Sequence, residues 1–162
     1  HSTFANYWNN GIRSLQAVYV NNYFTYNNTT GQEITETRDL IAANFTNCII
    51  DGNNNIEFLP DRVDGSLFNF KVTNSLIKFT DVNNLLEGIP EVDFNNTSLY
   101  DNILLNGVSH FRNASDNDYI IGQESQAINF GNSIGANLVP LDILGVNRTI
   151  SPDTGAYQHI DF

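Results

Sequence analysis

Three basic side chains in the middle of the sequence could act as a general base. They are Arg62, Lys71 and Lys78, in a chain that holds only two lysines and five arginines. Such a base can abstract a proton beside a sugar carboxylate when a cation neutralises that carboxylate. Lys71 is a weak candidate for a ligand contact, but a lone lysine also fits a residue that discourages strand-edge pairing. We therefore predict no catalytic residue.

Acidic side chains offer a weak candidate for a metal site at Asp116, Asp118 and Glu124. Carboxylate oxygens suit calcium, but the Asp-Asn-Asp spacing lacks the glycine and the downstream glutamate of an EF-hand loop. A solvated acidic turn is the alternative. The three histidines show no spacing typical of zinc. Calcium is thus the one cofactor that the sequence leaves open, and otherwise we expect none.

Aromatic residues near the beginning of the chain supply two further weak candidates for ligand binding, Trp8 and Tyr26. Such rings can stack on a sugar, which makes a polysaccharide one expected class of partner. The alternative is that the rings fill the core or pack on a neighbouring strand.

The composition excludes some classes of partner. Eighteen acidic residues against seven basic ones give a net charge of −11, whereas nucleic-acid binding needs a basic face. No run of 18 apolar residues exists, so we expect no transmembrane segment. The single cysteine, Cys48, excludes an intrachain disulfide, and its apolar neighbours predict that it is buried. Most of the polarity comes from 26 asparagines, which favour turns.

A repeated unit must position these side chains. Four asparagines, spaced 26, 27 and 28 residues apart, each precede a short apolar pair: Asn21, Asn47, Asn74 and Asn102. The residues before each asparagine alternate in polarity with period 2, as in a half-buried strand. Two positions before the asparagines, the alternation predicts four core residues: Tyr19, Phe45, Val72 and Tyr100.

The length of the repeat predicts an all-β fold, a right-handed parallel β-helix of roughly four coils. The asparagines would form corners, and their amides would bond from coil to coil as a ladder. Residues 1–109 form the predicted coils, and 110–162 a closing tail of the same domain. The chain begins with His1 and contains no methionine, so we interpret it as a piece of a longer protein. Solenoid edges need a cap, so we expect upstream coils, or an envelope or surface protein, to cover the N-terminal edge.

Five motifs carry a resemblance: Asn47–Asn53 (NCIIDGN), Asp118–Ile121 (DYII), Ser125–Gly131 (SQAINFG), Asp142–Arg148 (DILGVNR) and Pro152–Gln158 (PDTGAYQ). In order and spacing they resemble the C-terminal part of Bacteroidetes-type right-handed parallel β-helix proteins of the choice-of-anchor and polysaccharide-lyase-like family. Gln126, Thr154 and Gln158 depart from its proline, isoleucine and glutamate. The resemblance implies an extracellular or outer-membrane-surface protein, such as a secreted protein or lipoprotein. It leaves function open, because members include both lyases and binding proteins.

Three charged residues in these tail motifs, Asp142, Arg148 and Asp153, form a predicted structural cluster. A guanidinium group suits carboxylates, so we expect Arg148 to pair with one or both acids and lock the tail. A catalytic role is the alternative.

These features favour a non-catalytic binding or structural subunit of an envelope complex. The alternative is a glycan-active enzyme of the lyase type, with its active site largely on coils upstream of this chain.

Overall fold

A computed structural model describes residues 1–162, and short strands make up most of its regular structure. The strands are β1 (Ser2–Asn6), β2 (Val18–Asn21), β3 (Tyr23–Asn27), β4 (Glu33–Thr37), β5 (Leu40–Thr46), β6 (Cys48–Gly52), β7 (Phe58–Asp61), β8 (Phe68–Ile77), β9 (Tyr100–Leu105), β10 (Phe111–Asn113) and β11 (Asp118–Ile121). Helical structure is limited to 3-10 turns at Pro90–Val92 and Ala114–Asp116 and to the α-helix α1 (Ser133–Leu138). No helix has the length and hydrophobicity needed to span a membrane.

The largest sheet has five strands and contains the last three copies of the repeat. Its order is β1-β6-β8-β5, with β9 also paired to β8, and every pairing is parallel. Phe45 lies opposite Val72, and Val72 lies opposite Tyr100, which is the alignment that the repeat predicts. The asparagines that follow adopt left-handed backbone, with φ of 56°, 46° and 55° at Asn47, Asn74 and Asn102. Asparagine tolerates this conformation better than most residues.

The predicted right-handed parallel β-helix is wrong. The strands form several small sheets of mixed direction, and no closed solenoid is present. β3 and β4 pair antiparallel, as do β10 and β11, while β2 and β7 form a separate parallel pair. The physical reason lies in the connections, which do not repeat. A hairpin follows the first copy and a loop with a 3-10 turn precedes β9, so the chain does not wind uniformly.

The first copy of the repeat was also aligned wrongly. Asn21 lies opposite Asp61 and does not join the other asparagines. Val18 and Val20 are buried, whereas the predicted core residue Tyr19 is 39% exposed. The period-2 pattern of this copy was therefore shifted by one residue, which turns every side chain to the other face of the strand.

Aromatic rings fill the main core around Phe58, which is completely buried. Its ring packs against those of Phe45, Phe70 and Tyr100 at centroid distances of 5.6, 6.1 and 6.4 Å. Burying a side chain of this size contributes roughly 1.5–3 kcal/mol. Cys48 is buried as predicted, and burial raises the pKa of its thiol.

The asparagine amides bind the tail and do not form the predicted ladder. Asn74 Nδ2 donates to the Phe130 carbonyl at 3.0 Å, and its Oδ1 accepts from Asn132 Nδ2 at 3.0 Å. Asn47 Oδ1 accepts the Asn132 backbone N–H at 2.8 Å. Asn102 is exposed and its side chain makes no hydrogen bond within the chain. These bonds fasten the segment before α1 to the large sheet.

Arg148 is buried but pairs with neither predicted acid. Its guanidinium donates to the carbonyls of Gly155 and Ala156 at 3.1 and 3.0 Å. Asp142 and Asp153 are buried as well, and each accepts backbone N–H groups of the tail. The three residues thus hold the tail mainly through its backbone. Asp153 Oδ2 also lies 2.8 Å from His159 Nδ1, and the two form an ion pair when the imidazole is protonated. The division into 1–109 and 110–162 stays a prediction.

Candidate functional site

A pocket lies where the parallel strands of the large sheet end. Its volume is about 530 Å³, within the usual range for small-molecule sites. We call it the strand-end pocket, and its principal lining residues are Tyr7, Asp51, Lys78, Asn106, Ser109 and Phe111. Because parallel strands point the same way, the residues at their carboxyl ends meet at one edge of the sheet.

Three of these residues occupy the same place in the repeat, a signal that the sequence analysis missed. Asp51, Lys78 and Asn106 stand four positions after Asn47, Asn74 and Asn102. The register confirms the equivalence, since Ile50 lies opposite Ile77 and Ile77 lies opposite Leu105. Continuing the alignment four residues past each asparagine would have identified a polar row across three strands.

Asp51 is the one carboxylate in the pocket and is only 8% exposed. Its Oδ1 accepts the Gly52 N–H at 2.7 Å, and its Oδ2 accepts the Ser109 hydroxyl at 2.6 Å. Burial, followed by the nearby Asp51 charge, raises the pKa of Tyr7. A hydrogen bond between the Tyr7 phenol and the Asp51 carboxylate raises that pKa further.

Lys78 contributes a positive charge without a counterion. None of the seven ion pairs in the structure includes it. Its Nζ donates to the Gly52 carbonyl at 2.5 Å, which leaves two of the three ammonium N–H groups free for a ligand. Asn106 has a different role, because its amide both donates to and accepts from the Phe79 backbone at 2.9 Å. It positions the segment after β8.

An aromatic cluster forms one wall of the pocket. Tyr7 lies 6.0 Å from Phe111 and 6.3 Å from Tyr119, measured between ring centroids, and Phe111 lies 5.2 Å from Tyr119. The contacts between Phe111 and the two tyrosines are edge-to-face, the arrangement that aromatic quadrupoles favour. Of the three rings, those of Tyr7 and Phe111 line the pocket.

The rim of the pocket includes a histidine in an uncommon conformation. His110 has a φ of 47°, and its Nδ1 accepts the Glu124 N–H at 3.3 Å. Its ring stacks on Phe162 at 5.3 Å. A Cβ at Gly122 would lie 2.6 Å from Phe162 and 2.7 Å from His110 Nδ1, so only glycine fits there. The end of the chain therefore fixes this part of the rim.

The predicted ligand contacts lie apart from one another and outside the strand-end pocket. Lys71 lies on β8 opposite Asn44. Trp8 is 56% exposed and lines a separate cavity of about 410 Å³. Tyr26 lies on the β3–β4 hairpin, where its ring stacks on Phe24 and its hydroxyl donates to a glutamate.

The three acidic residues considered for calcium also have separate partners. Asp118 accepts from Arg112 Nε at 2.6 Å, and Asp116 accepts from Asn113 at 2.7 Å. Glu124 lies beside His110. The structure contains no group of three His, Cys, Asp or Glu side chains that could hold a metal ion.

No protein-family model, curated protein or solved structure matches this chain. The resemblance to the choice-of-anchor family stays a prediction based on its motifs.

Proposed function

We propose that this chain is a non-catalytic binding module that holds a neutral, hydroxyl-rich ligand of the saccharide class in the strand-end pocket. The observation that carries the proposal is the combination of a buried acceptor, Asp51, an ammonium donor without a counterion, Lys78, and an aromatic wall. A sugar presents hydroxyl groups and an apolar ring face, and the pocket offers a partner for each.

The polar groups of the pocket suit hydroxyls in particular. Each oxygen of the Asp51 carboxylate already accepts one hydrogen bond and can accept another. Lys78 supplies a donor in the same pocket. A sugar hydroxyl both donates and accepts, so adjacent hydroxyls could bind Asp51 and Lys78 together.

The charge of the chain favours a neutral ligand over an acidic one. The net charge of −11 repels anions at long range, and Lys78 is the only lysine or arginine in the pocket. The expected ligand is therefore a neutral sugar unit.

Binding fits the pocket better than glycoside hydrolysis does. Hydrolysis usually requires a pair of carboxylates, one on each side of the glycosidic bond. Asp51 is the one carboxylate that lines the pocket, and both of its oxygens are held by Gly52 and Ser109.

Titration calorimetry with neutral disaccharides, such as lactose, maltose and cellobiose, tests the proposal after a glycan-array screen. Lys78→Ala should weaken binding at least about tenfold, because it removes the free donor. Lys71→Ala is the matched control, and it should bind as the wild type does because Lys71 lies outside the pocket. An equal loss in both variants, or no neutral ligand on the array, would contradict the proposal.

A lyase is the second candidate, because the pocket places a potential base, Lys78, near a protonated phenol, Tyr7. Incubation with uronate polymers and calcium, followed by ultraviolet absorbance, tests this alternative. An unsaturated product that Lys78→Ala abolishes would replace the binding proposal, and its absence would remove the lyase candidate.

We also place the protein outside the cell or on its outer surface, with an envelope or surface protein as a partner. The acidic, asparagine-rich composition supports this setting. β1 is an edge strand of the large sheet and offers a place for a partner strand. Surface biotinylation of intact source cells tests the location, and exclusive recovery from the unlabelled cytosolic fraction would contradict it.

A further inference from the structure

Two tyrosines and one aspartate direct their side-chain oxygens to one point on the surface of the β2–β7 pair. Tyr23 Oη donates to Asp61 Oδ2 at 2.6 Å and lies 2.9 Å from Tyr19 Oη. Tyr19 Oη also donates to Asp61 Oδ2. We call these three residues the phenol–carboxylate cluster. Tyr19 is 39% exposed and the other two residues are half-buried, so an ion in solution can reach the cluster.

The strands hold the three side chains on one face. Asn21 lies opposite Asp61 in the parallel β2–β7 pair, and Tyr19 faces the same side because it stands two residues before Asn21. The buried Asn22 fixes the corner between the two tyrosines, since its side chain donates to the Val63 carbonyl and accepts the Val63 N–H, both at 2.9 Å. The cluster is therefore preformed and is supported by neighbouring hydrogen bonds.

The negative charge of the cluster is not neutralised by a basic group. Asp61 takes part in none of the seven ion pairs, and Arg62 beside it pairs with two other acids. A hydrogen bond to Asp61 is the main cause that raises the pKa of Tyr23, while burial and then the bond to Asp61 raise that of Tyr19. A cation among the three oxygens would reverse both shifts, because it attracts every oxygen of the cluster.

The spacing of the oxygens fits one face of an octahedral metal site. Where metal–oxygen distances are about 2.0 Å, neighbouring ligand oxygens lie about 2.8 Å apart. The two measured contacts of Tyr23 Oη, 2.6 and 2.9 Å, lie on either side of that value. A metal ion can thus replace the two phenol protons without moving the strands, and water can fill the remaining positions.

We propose that the phenol–carboxylate cluster binds a ferric ion through Tyr19, Tyr23 and Asp61. Each phenol releases its proton to solvent on binding, so two phenolates and one carboxylate balance the three positive charges of the ion. Hard cations favour anionic oxygen ligands, and ferric haem accepts a tyrosine as its axial ligand. Calcium and magnesium use carboxylates, carbonyls and water instead. The proposal is independent of the ligand in the strand-end pocket.

Titration with ferric nitrilotriacetate, followed by visible absorbance, tests the proposal. Charge transfer from phenolate to iron produces a red to purple colour, and this band should saturate at one ion per chain. Calcium should neither produce the band nor displace the iron. A wild-type protein that stays colourless, or one that takes up iron without this band, would overturn the proposal.

Three variants test the ligands, and Tyr26→Phe is the matched control. The Tyr26 hydroxyl also donates to a carboxylate, that of Glu36 at 2.8 Å, but no second phenol bonds to that pair. Tyr19→Phe and Tyr23→Phe should each weaken ferric binding at least about tenfold and reduce the band. Asp61→Asn keeps the shape of the side chain and should weaken binding to a similar extent. Circular dichroism checks that each variant is folded, and equal binding by these variants and Tyr26→Phe would refute the assignment.

Discussion

The large sheet and the C-terminal tail bury their interiors with different chemistry. In the sheet, the completely buried residues include Val72, Leu76 and Ile77, and parallel strands supply the order. In the tail, Arg148 and Asp153 are as deeply buried as the aliphatic residues of the sheet. The sheet therefore depends mainly on apolar burial, whereas the tail depends on hydrogen bonds that few alternative side chains could make.

This difference implies different responses to substitution. An apolar core loses stability in proportion to the volume removed, because a cavity remains. A buried polar cluster is sensitive to the loss of any member, because the remaining groups stay buried without partners. The four predictions that follow begin with the largest expected effect.

Arg148→Met should be the most damaging single change, lowering the free energy of unfolding by about 3–5 kcal/mol. Burial lowers the pKa of Arg148, and the Asp142 and Asp153 charges oppose that shift, so the side chain also balances two buried acids. Urea denaturation measures the loss. The control is Arg62→Met, whose side chain is 46% exposed. If both variants show the same small decrease in the free energy of unfolding, the stability of the tail does not depend on its buried polar residues.

Leu76→Ala tests the sheet in the same way. It should lower the free energy of unfolding by about 2–5 kcal/mol, because Leu76 is completely buried and its truncation leaves a cavity. Leu85→Ala is the control, since Leu85 is 78% exposed and its truncation should cost less than about 0.5 kcal/mol. Urea denaturation again measures both. A loss at Leu76 as small as that at Leu85 would show that the sheet is not held by apolar burial.

Asn74→Leu tests the connection between the two regions. It should lower the free energy of unfolding by about 1–3 kcal/mol, because the tail atoms bonded to this amide lose their partners. Asn102→Leu is the control. Asn102 has the same left-handed backbone but no side-chain hydrogen bond, so this variant measures only the cost of placing leucine in that backbone conformation. Thermal and urea melting should show a larger loss for Asn74→Leu, and equal losses would argue against the connection.

High pH should weaken the fold through Tyr100, which is buried, and Tyr7, which is partly buried. Burial is the main cause that raises the pKa of both Tyr7 and Tyr100. The unfolded chain releases these protons at about pH 10, before the folded chain does, so the free energy of unfolding should fall above that pH. Tyr7→Phe should make the fall shallower, as urea midpoints at about pH 8 and pH 11 would reveal. An unchanged slope would contradict a role for Tyr7.

Much of the large sheet could be predicted from the sequence, but the connections between its strands and the overall fold could not. Period-2 alternation identifies strands because successive side chains point to opposite faces of a sheet. The same alternation aligns Phe45 with Val72 and Val72 with Tyr100 on neighbouring strands. The β-helix prediction failed because a repeat says nothing about connections that do not repeat. The error at Tyr19 shows how weakly an alternating strand specifies its register when both faces carry apolar residues.

The candidate site was only partly accessible from the sequence. The row of Asp51, Lys78 and Asn106 follows from the repeat, whereas Tyr7, Ser109 and Phe111 reach the pocket through segments outside it. Arg148 was expected to pair with Asp142 or Asp153, but its partners are backbone carbonyls, which no side-chain pattern indicates.

Amide NMR during titration with lactose, maltose or cellobiose tests the central claim most directly, because it locates the ligand without a variant. The account predicts that the largest chemical-shift changes occur at the backbone of Asp51, Lys78 and residues 106–110, which line the strand-end pocket. Changes confined to the β3–β4 hairpin or to segment 125–152, or no change with any of these sugars, would contradict it.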